Sequence, residues 1–287
     1  MKQKLNISAL LTLLLAFISS YVVAQQISTP AASPGSKTEQ AIGLVNATIE
    51  YSRPSMKGRK IFGDLVPFDQ VWRTGANSAT KLTLDGSVTV GGKLLSAGSY
   101  AVLAKPGQSS WDVMFYPYET GNWAAYPDKT PLVTVKSAPT ALPFNVETFT
   151  MGFGDLTNDG ATLYLYWEKT FVSVPLSVDT KKTVMAQINK FAENPEATLG
   201  NAYNASAAYL LTEKENLELA LKFATKAVEI NPDAYWMSRT KALIEAELGK
   251  YKEAIASAQK SMAAAEKAGN QQYVDFNKAS IAEWKKK

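Results

Sequence analysis

The chain has 287 residues, 46% apolar and 20% charged, which is enough to bury a core and too apolar for a disordered tail. It contains no Cys and no His, which excludes disulfides, thiolate nucleophiles, Cys-ligated zinc, a lipidated Cys and every Ser-His-Asp or Cys-His arrangement. The formal charge of +4 includes Lys2 and Lys4, and the remainder is too small to argue for a nucleic-acid partner.

Lys2 and Lys4 precede an apolar run, Leu5 to Ile18, that is too short to span a bilayer comfortably. Ser19 to Ala24 is small and polar, with Val22 and Ala24 at the two positions that a signal peptidase reads. Residues 1–24 are therefore expected to be a secretory signal cut after Ala24, giving a periplasmic or secreted product with no transmembrane segment in the mature chain. Residues 25–40, rich in Ser, Thr, Pro and Gln, read as a flexible leader.

Residues 41–178 read as a β-domain. Leu82-Thr83-Leu84 and Val88-Thr89-Val90 flank Asp85-Gly86, a strong hairpin signal, and Gly91-Gly92 turns the chain into Lys93-Leu94-Leu95. Ala97-Gly98 leads into Ser99 to Lys105, and Trp111 to Tyr116 follows Lys105-Pro106-Gly107. Leu132 to Lys136, Val146 to Gly152 and Ala161 to Trp167 are further strands, with Asn158-Asp159-Gly160 as a hairpin turn, and Phe171 to Val178 closes the domain. Turns recur without intervening amphipathic helices, which predicts an antiparallel β-sandwich or barrel rather than βαβ units.

Tyr51 to Thr80 breaks this pattern and is dense in Arg, Gly and Pro. Its Ser52-Arg53-Pro54, Gly58-Arg59, Ile61-Phe62-Gly63, Leu65-Val66-Pro67 and Trp72-Arg73-Thr74-Gly75-Ala76-Asn77, with the later Gly98-Ser99-Tyr100 and Trp111, resemble the signature of bacterial domain-of-unknown-function family 2911. The resemblance covers roughly Ile42 to Val178. It implies an exported bacterial protein and transfers no activity.

Residues 179–287 read as helical. Aligning Asn201 with Tyr235 places Ala208 on Ala242, Leu217 on Tyr251, Ala220 on Ala254, Ala224 on Ala258 and Ala227 on Ser261. This 34-residue period resembles the tetratricopeptide repeat, in which small residues let paired helices approach closely. Glu215 stands where the repeat usually has Gly, and Trp is missing from the fourth position of both units. Thr180 to Ala192 should add a helix before the repeats, and Gln271 to Trp284 a capping helix after them. The expected fold is thus α+β and multidomain: an antiparallel β-sandwich followed by a tetratricopeptide-like helical array.

Three groups of residues carry candidate chemistry. Arg53, Arg59 and Arg73, with Trp72 as a wall and Asn77 nearby, either line a pocket for an anion or pair with Asp64, Asp69 and backbone carbonyls to hold the loop. Tyr118, Trp123 and Tyr126 either stack on a glycan or anchor their own loop. Asp155, Asn158 and Asp159 offer oxygens to calcium, but Asn-Asp-Gly is also what a hairpin needs, so no metal is assigned. No phosphate-cradling glycine loop is present and no cofactor is implied. The expected function is an envelope binding or interaction module for a protein or glycan partner. The alternative is a carboxylate-dependent hydrolase acting on envelope glycans or peptides.

Overall fold

The computed structural model describes residues 29–195 and 198–287, so the expected signal sequence and its cleavage site lie outside the described residues. The chain divides into two compact units, Met1–Thr180 and Lys181–Lys287.

Among the described residues, the first unit holds ten strands: β1 (Gly35–Ile42), β2 (Val45–Ser52), β3 (Thr80–Leu84), β4 (Val88–Val90), β5 (Lys93–Leu95), β6 (Gly98–Lys105), β7 (Trp111–Pro117), β8 (Val133–Ser137), β9 (Thr140–Thr157) and β10 (Gly160–Ser177). They form a six-stranded sheet in the order β1-β2-β3-β6-β7-β8 and a four-stranded sheet in the order β5-β4-β10-β9. Every pairing is antiparallel. Period-two alternation turns Ala47, Ile49 and Tyr51 of β2 inward and leaves Thr48 and Glu50 outward. The inner faces meet in one core, with Ile49, Leu82 and Phe115 from the larger sheet and Val90, Leu165 and Val174 from the smaller. The two sheets confirm the expected sandwich.

Three local expectations are corrected. Asp85-Gly86 does not close a hairpin, because β3 pairs with β2 and β6 whereas β4 pairs with β5 and β10. The flanking runs are buried in different sheets. The Asp85 carboxylate instead accepts bonds from the backbone and side-chain nitrogens of Asn46, each at 2.7 Å. Those bonds, the Asn46 side chain first, hold its carboxyl below the ordinary value. Next, Ala161–Trp167 and all but the last residue of Phe171–Val178 belong to one strand, β10, which runs through a register shift around Glu168 (φ 55°). Finally, the last part of the expected leader is β1, an edge strand whose residues are mostly exposed or half-buried. By contrast, Gly91 (φ 56°) and Gly92 (φ 79°) turn β4 into β5 as expected, in the left-handed geometry that two-residue hairpins favour.

The second unit contains six helices among the described residues: α1 (Thr180–Glu193), α2 (Gly200–Glu213), α3 (Leu217–Ile230), α4 (Tyr235–Glu247), α5 (Tyr251–Lys267) and α6 (Gln271–Trp284). Ala220, Ala224 and Ala227 of α3 are fully buried, as are Ala254, Ala258 and Ser261 of α5, so no larger side chain fits at these contacts. The α2–α3 turn manages without Gly by placing Lys214 (φ 53°) and Asn216 (φ 41°) in the left-handed region. The Asn216 side chain caps α3 by accepting from the Leu219 N–H at 3.2 Å. Between α5 and α6, the buried Asn277 donates to Ser261 Oγ at 2.9 Å and accepts from Arg239 Nη1 at 3.0 Å. No helix among the described residues is long and apolar enough to cross a membrane.

On the outer face of the larger sheet, Asp112 lies between Lys136 (2.9 Å) and Lys105 (3.3 Å) on the strands to either side. The hydrogen bond from Lys136 is the main cause holding its carboxyl below the ordinary 3.8. A depressed folded-state pKa gives stabilisation that is complete above the unfolded value and is lost as pH falls through the folded one. Asp112→Asn is therefore expected to lower the melting temperature near about pH 7 and to matter much less near about pH 2. Equal destabilisation in melts at both pH values would contradict this role.

Candidate functional site

The connection from β2 to β3 is irregular but firmly fixed. Its first part runs beside β9, with Met56 N donating to Glu147 O at 2.8 Å and Phe149 N to Pro54 O at 2.9 Å. Further on, Trp72 exchanges both backbone bonds with Ala104, at 2.7 and 2.9 Å. The Trp72 ring stacks on Trp167 (centroids 6.1 Å apart, 17° between planes) and meets Phe149 edge-on at 5.0 Å. Its indole N–H donates to Gly75 O at 3.1 Å. Such aromatic contacts add about 0.5–1.5 kcal/mol each beyond the area they bury.

Seating Trp72 forces the following residues into a tight turn. Thr74 is buried and held at φ 54°, a left-handed geometry that costs a β-branched residue about 1–3 kcal/mol. Thr80 Oγ1 offsets this by donating to Thr74 O at 2.5 Å. Gly75 (φ 141°) passes so close to β2 that a Cβ there would lie 2.8 Å from Ser52 O. Asn77 (φ 58°) donates through Nδ2 to Ser33 O and to Ser52 Oγ, both at 3.2 Å.

The turn sets Arg73 on the protein surface. Its Nη1 donates to Asn77 O at 3.0 Å, and its guanidinium lies over the Trp123 ring, 4.7 Å from the centroid. Arg59 donates through Nε to Met56 O at 2.9 Å and through Nη2 to Ser55 O at 2.7 Å. Both arginines line one cleft of about 370 Å³, together with Asn77, Trp72 and Trp167. The expected pairing with Asp64 and Asp69 is not made. Among the described residues, none of the three arginines is in an ion pair, and backbone carbonyls alone hold Arg59. Two cationic groups therefore face one cleft with no carboxylate in its lining.

Arg53 does not join them. It turns to β9, where Nε donates to Phe149 O at 3.1 Å and Nη2 to Thr150 Oγ1 at 2.6 Å. Trp72 does form a wall. Trp167 and Leu65 are wall residues that sequence reasoning missed. Trp167 lies in a regular strand far along the chain, where nothing local marks it.

Tyr118, Trp123 and Tyr126 do not form one sugar-stacking face. Tyr126 is fully buried. Its hydroxyl accepts from the N–H groups of Glu119 (3.0 Å) and Thr120 (2.9 Å) and donates to Thr120 O (2.7 Å), so it pins the loop. Trp123 lies beneath Arg73. Tyr118 borders a separate hollow of about 530 Å³ with Lys81, Glu50 and Ser78. Beside the β9–β10 turn, the carbonyls of Asn158 and Asp159 accept from Thr180 Oγ1 (2.6 Å) and Val178 N (2.8 Å). No group of three or more His, Cys, Asp or Glu among the described residues is placed to hold a metal ion.

Fold and site together define an exposed cleft at one end of an antiparallel β-sandwich, with a helical unit following in the chain. The chain belongs to the DUF2911 family, described as protein of unknown function, whose model matches residues 33–176. The match begins just ahead of β1 and ends within β10, so the helical unit lies outside it. No match was found among the curated proteins or among the solved structures.

Tyr126→Phe removes the group that satisfies two loop N–H donors and is expected to cost about 1–3 kcal/mol of stability. Denaturant unfolding measures it, and an unchanged midpoint would show that the hydroxyl does not pin the loop.

Proposed function

We propose that the protein is an exported envelope binding module, periplasmic or secreted, whose β-sandwich takes an anionic ligand in the Arg59–Arg73 cleft. The observation that carries this reading is the pair of guanidinium groups lining one cleft without a neutralising carboxylate. Arg59 is exposed and Arg73 half-buried, and two guanidinium groups beside one cleft with no carboxylate give it a positive potential that favours an incoming anion. Their hydrogen bonds to backbone carbonyls fix the groups in place without cancelling their charge. Because the lining holds no Asp or Glu, a carboxylate-dependent hydrolase would lack both acid and base at this cleft. Binding is therefore the better reading of this site.

The helical unit is proposed to be a tetratricopeptide-like scaffold. Supporting this, fully buried small residues recur at matching places in α3 and α5: Ala220 with Ala254, Ala224 with Ala258, and Ala227 with Ser261. Export rests on the residues up to Ala24. Amino-terminal sequencing of protein recovered from the envelope or medium is expected to begin at Gln25, and an intact Met1 would refute cleavage.

Titrating the full chain with inorganic phosphate and following tryptophan fluorescence tests the cleft. Saturable binding that weakens with salt is expected, and Arg59→Gln should weaken it by about tenfold with little change in melting temperature. Absence of binding by inorganic phosphate and by carboxylates alike, or binding indifferent to Arg59→Gln, would rule the anion reading out. If the arginines served the loop alone, the variant would lower the melting temperature and nothing else.

A further inference from the structure

The arginines of the β2–β3 connection spend their hydrogen bonds differently. A guanidinium has a side-on fork made by Nε–H and Nη2–H, whose parallel N–H groups match the two oxygens of a carboxylate. Arg53 and Arg59 have both given that fork to the protein, Arg53 to Phe149 O and Thr150 Oγ1, Arg59 to Met56 O and Ser55 O. Arg73 has not. Its only hydrogen bond among the described residues leaves from Nη1, and its flat face rests on Trp123, so Nε and Nη2 keep their fork open. Arg59 still has Nη1 to add a second cationic contact in the same cleft.

Beside these cations and the polar Ser33 and Asn77, the cleft also has apolar lining. Of its apolar lining, Leu65 is 42% exposed and Trp72 half-buried, whereas Pro54, Val66 and Trp167 are already covered by the protein. An inorganic anion would leave Leu65 and the exposed part of Trp72 against water. An uncharged apolar molecule would leave two guanidinium groups unpaired. The volume of about 370 Å³ lies near the lower end of the roughly 300–1,000 Å³ typical of small-molecule sites. It admits a one-ring or short branched body rather than a polymer.

Resting on the reading of this cleft as an anion site, we propose that its ligand is a small amphipathic carboxylate. The carboxylate sits side-on in the Arg73 fork with Arg59 as second cation, and the apolar body lies against Leu65 and the exposed part of Trp72. A planar two-oxygen group satisfies the fork completely, whereas a phosphate would turn its remaining oxygens toward apolar walls.

The test is calorimetric titration of the full chain with 3-phenylpropionate, its primary amide, acetate and inorganic phosphate. Phenylpropionate should bind at least about tenfold more tightly than acetate, because a ring leaves water. It should bind at least about tenfold more tightly than the amide, because a charge-assisted pair is lost. Arg73→Lys keeps the charge and removes the fork, and should erase the preference for phenylpropionate over phosphate. A binding-competent Arg73→Lys that keeps the preference would overturn the proposal. Should that variant fold poorly, the wild-type ligand series decides alone. Acetate and phosphate binding as tightly as phenylpropionate, with Arg59 dependence, would sink the amphipathic ligand and leave the anion site standing. If none of the four bound, both readings would fall. Tighter binding of an acetylated pentapeptide ending in Phe than of phenylpropionate would overturn the small-acid assignment in favour of a polypeptide terminus.

Discussion

Trp72 is the residue on which the irregular side of the β-unit depends. Its ring is wedged among Trp167, Phe149, Trp111 and Phe62, and its backbone is bonded on both sides to Ala104 of β6. One residue thus joins an irregular connection to both sheets at once. Everything after it follows from that position: the left-handed Thr74, the close pass of Gly75 over β2, and the outward setting of Arg73. Aromatic burial of this kind offsets the backbone strain that an irregular connection carries.

Two kinds of cation stabilisation stand side by side in the unit. Asp112 pairs with Lys105 and Lys136 across neighbouring strands and offsets part of their charge. The arginines of the β2–β3 connection bond to carbonyls, which orient a guanidinium while leaving its field in place. In the first arrangement the protein itself supplies the counter-charge. The second keeps positive potential at the surface, where it acts on whatever approaches.

Much of this was legible in the sequence, for reasons that particular residues make clear. The short, mostly apolar runs of β6 and β7 and the Gly91-Gly92 turn mark strands directly, and the small-residue spacing in α3 and α5 marks paired helices. β1 escaped because it is an edge strand with polar residues on both faces, so no alternation separates it from a leader. Asp85-Gly86 misled because a local turn signal says nothing about which sheet receives the next strand. At the candidate site, Arg59, Trp72, Arg73 and Asn77 were found by composition, and the structure places them together. Arg53 and Tyr126 were set aside only by their bonding partners, and Trp167 could be added only by three-dimensional proximity.

The change of sheet at Asp85-Gly86 also governs the order in which the sandwich can assemble. β4 has only the three-residue β5 as a nearby partner, and its other neighbour is the far end of β10, where Val90 pairs with Leu176. A short two-stranded ribbon is marginal on its own in water. The smaller sheet therefore cannot close until the last strand of the unit is available, and its pairing carries a high contact order. A chain emerging from its amino end would hold Val88, Val90 and Leu95 uncovered through most of that interval, which makes this stretch the natural point of contact for a chaperone.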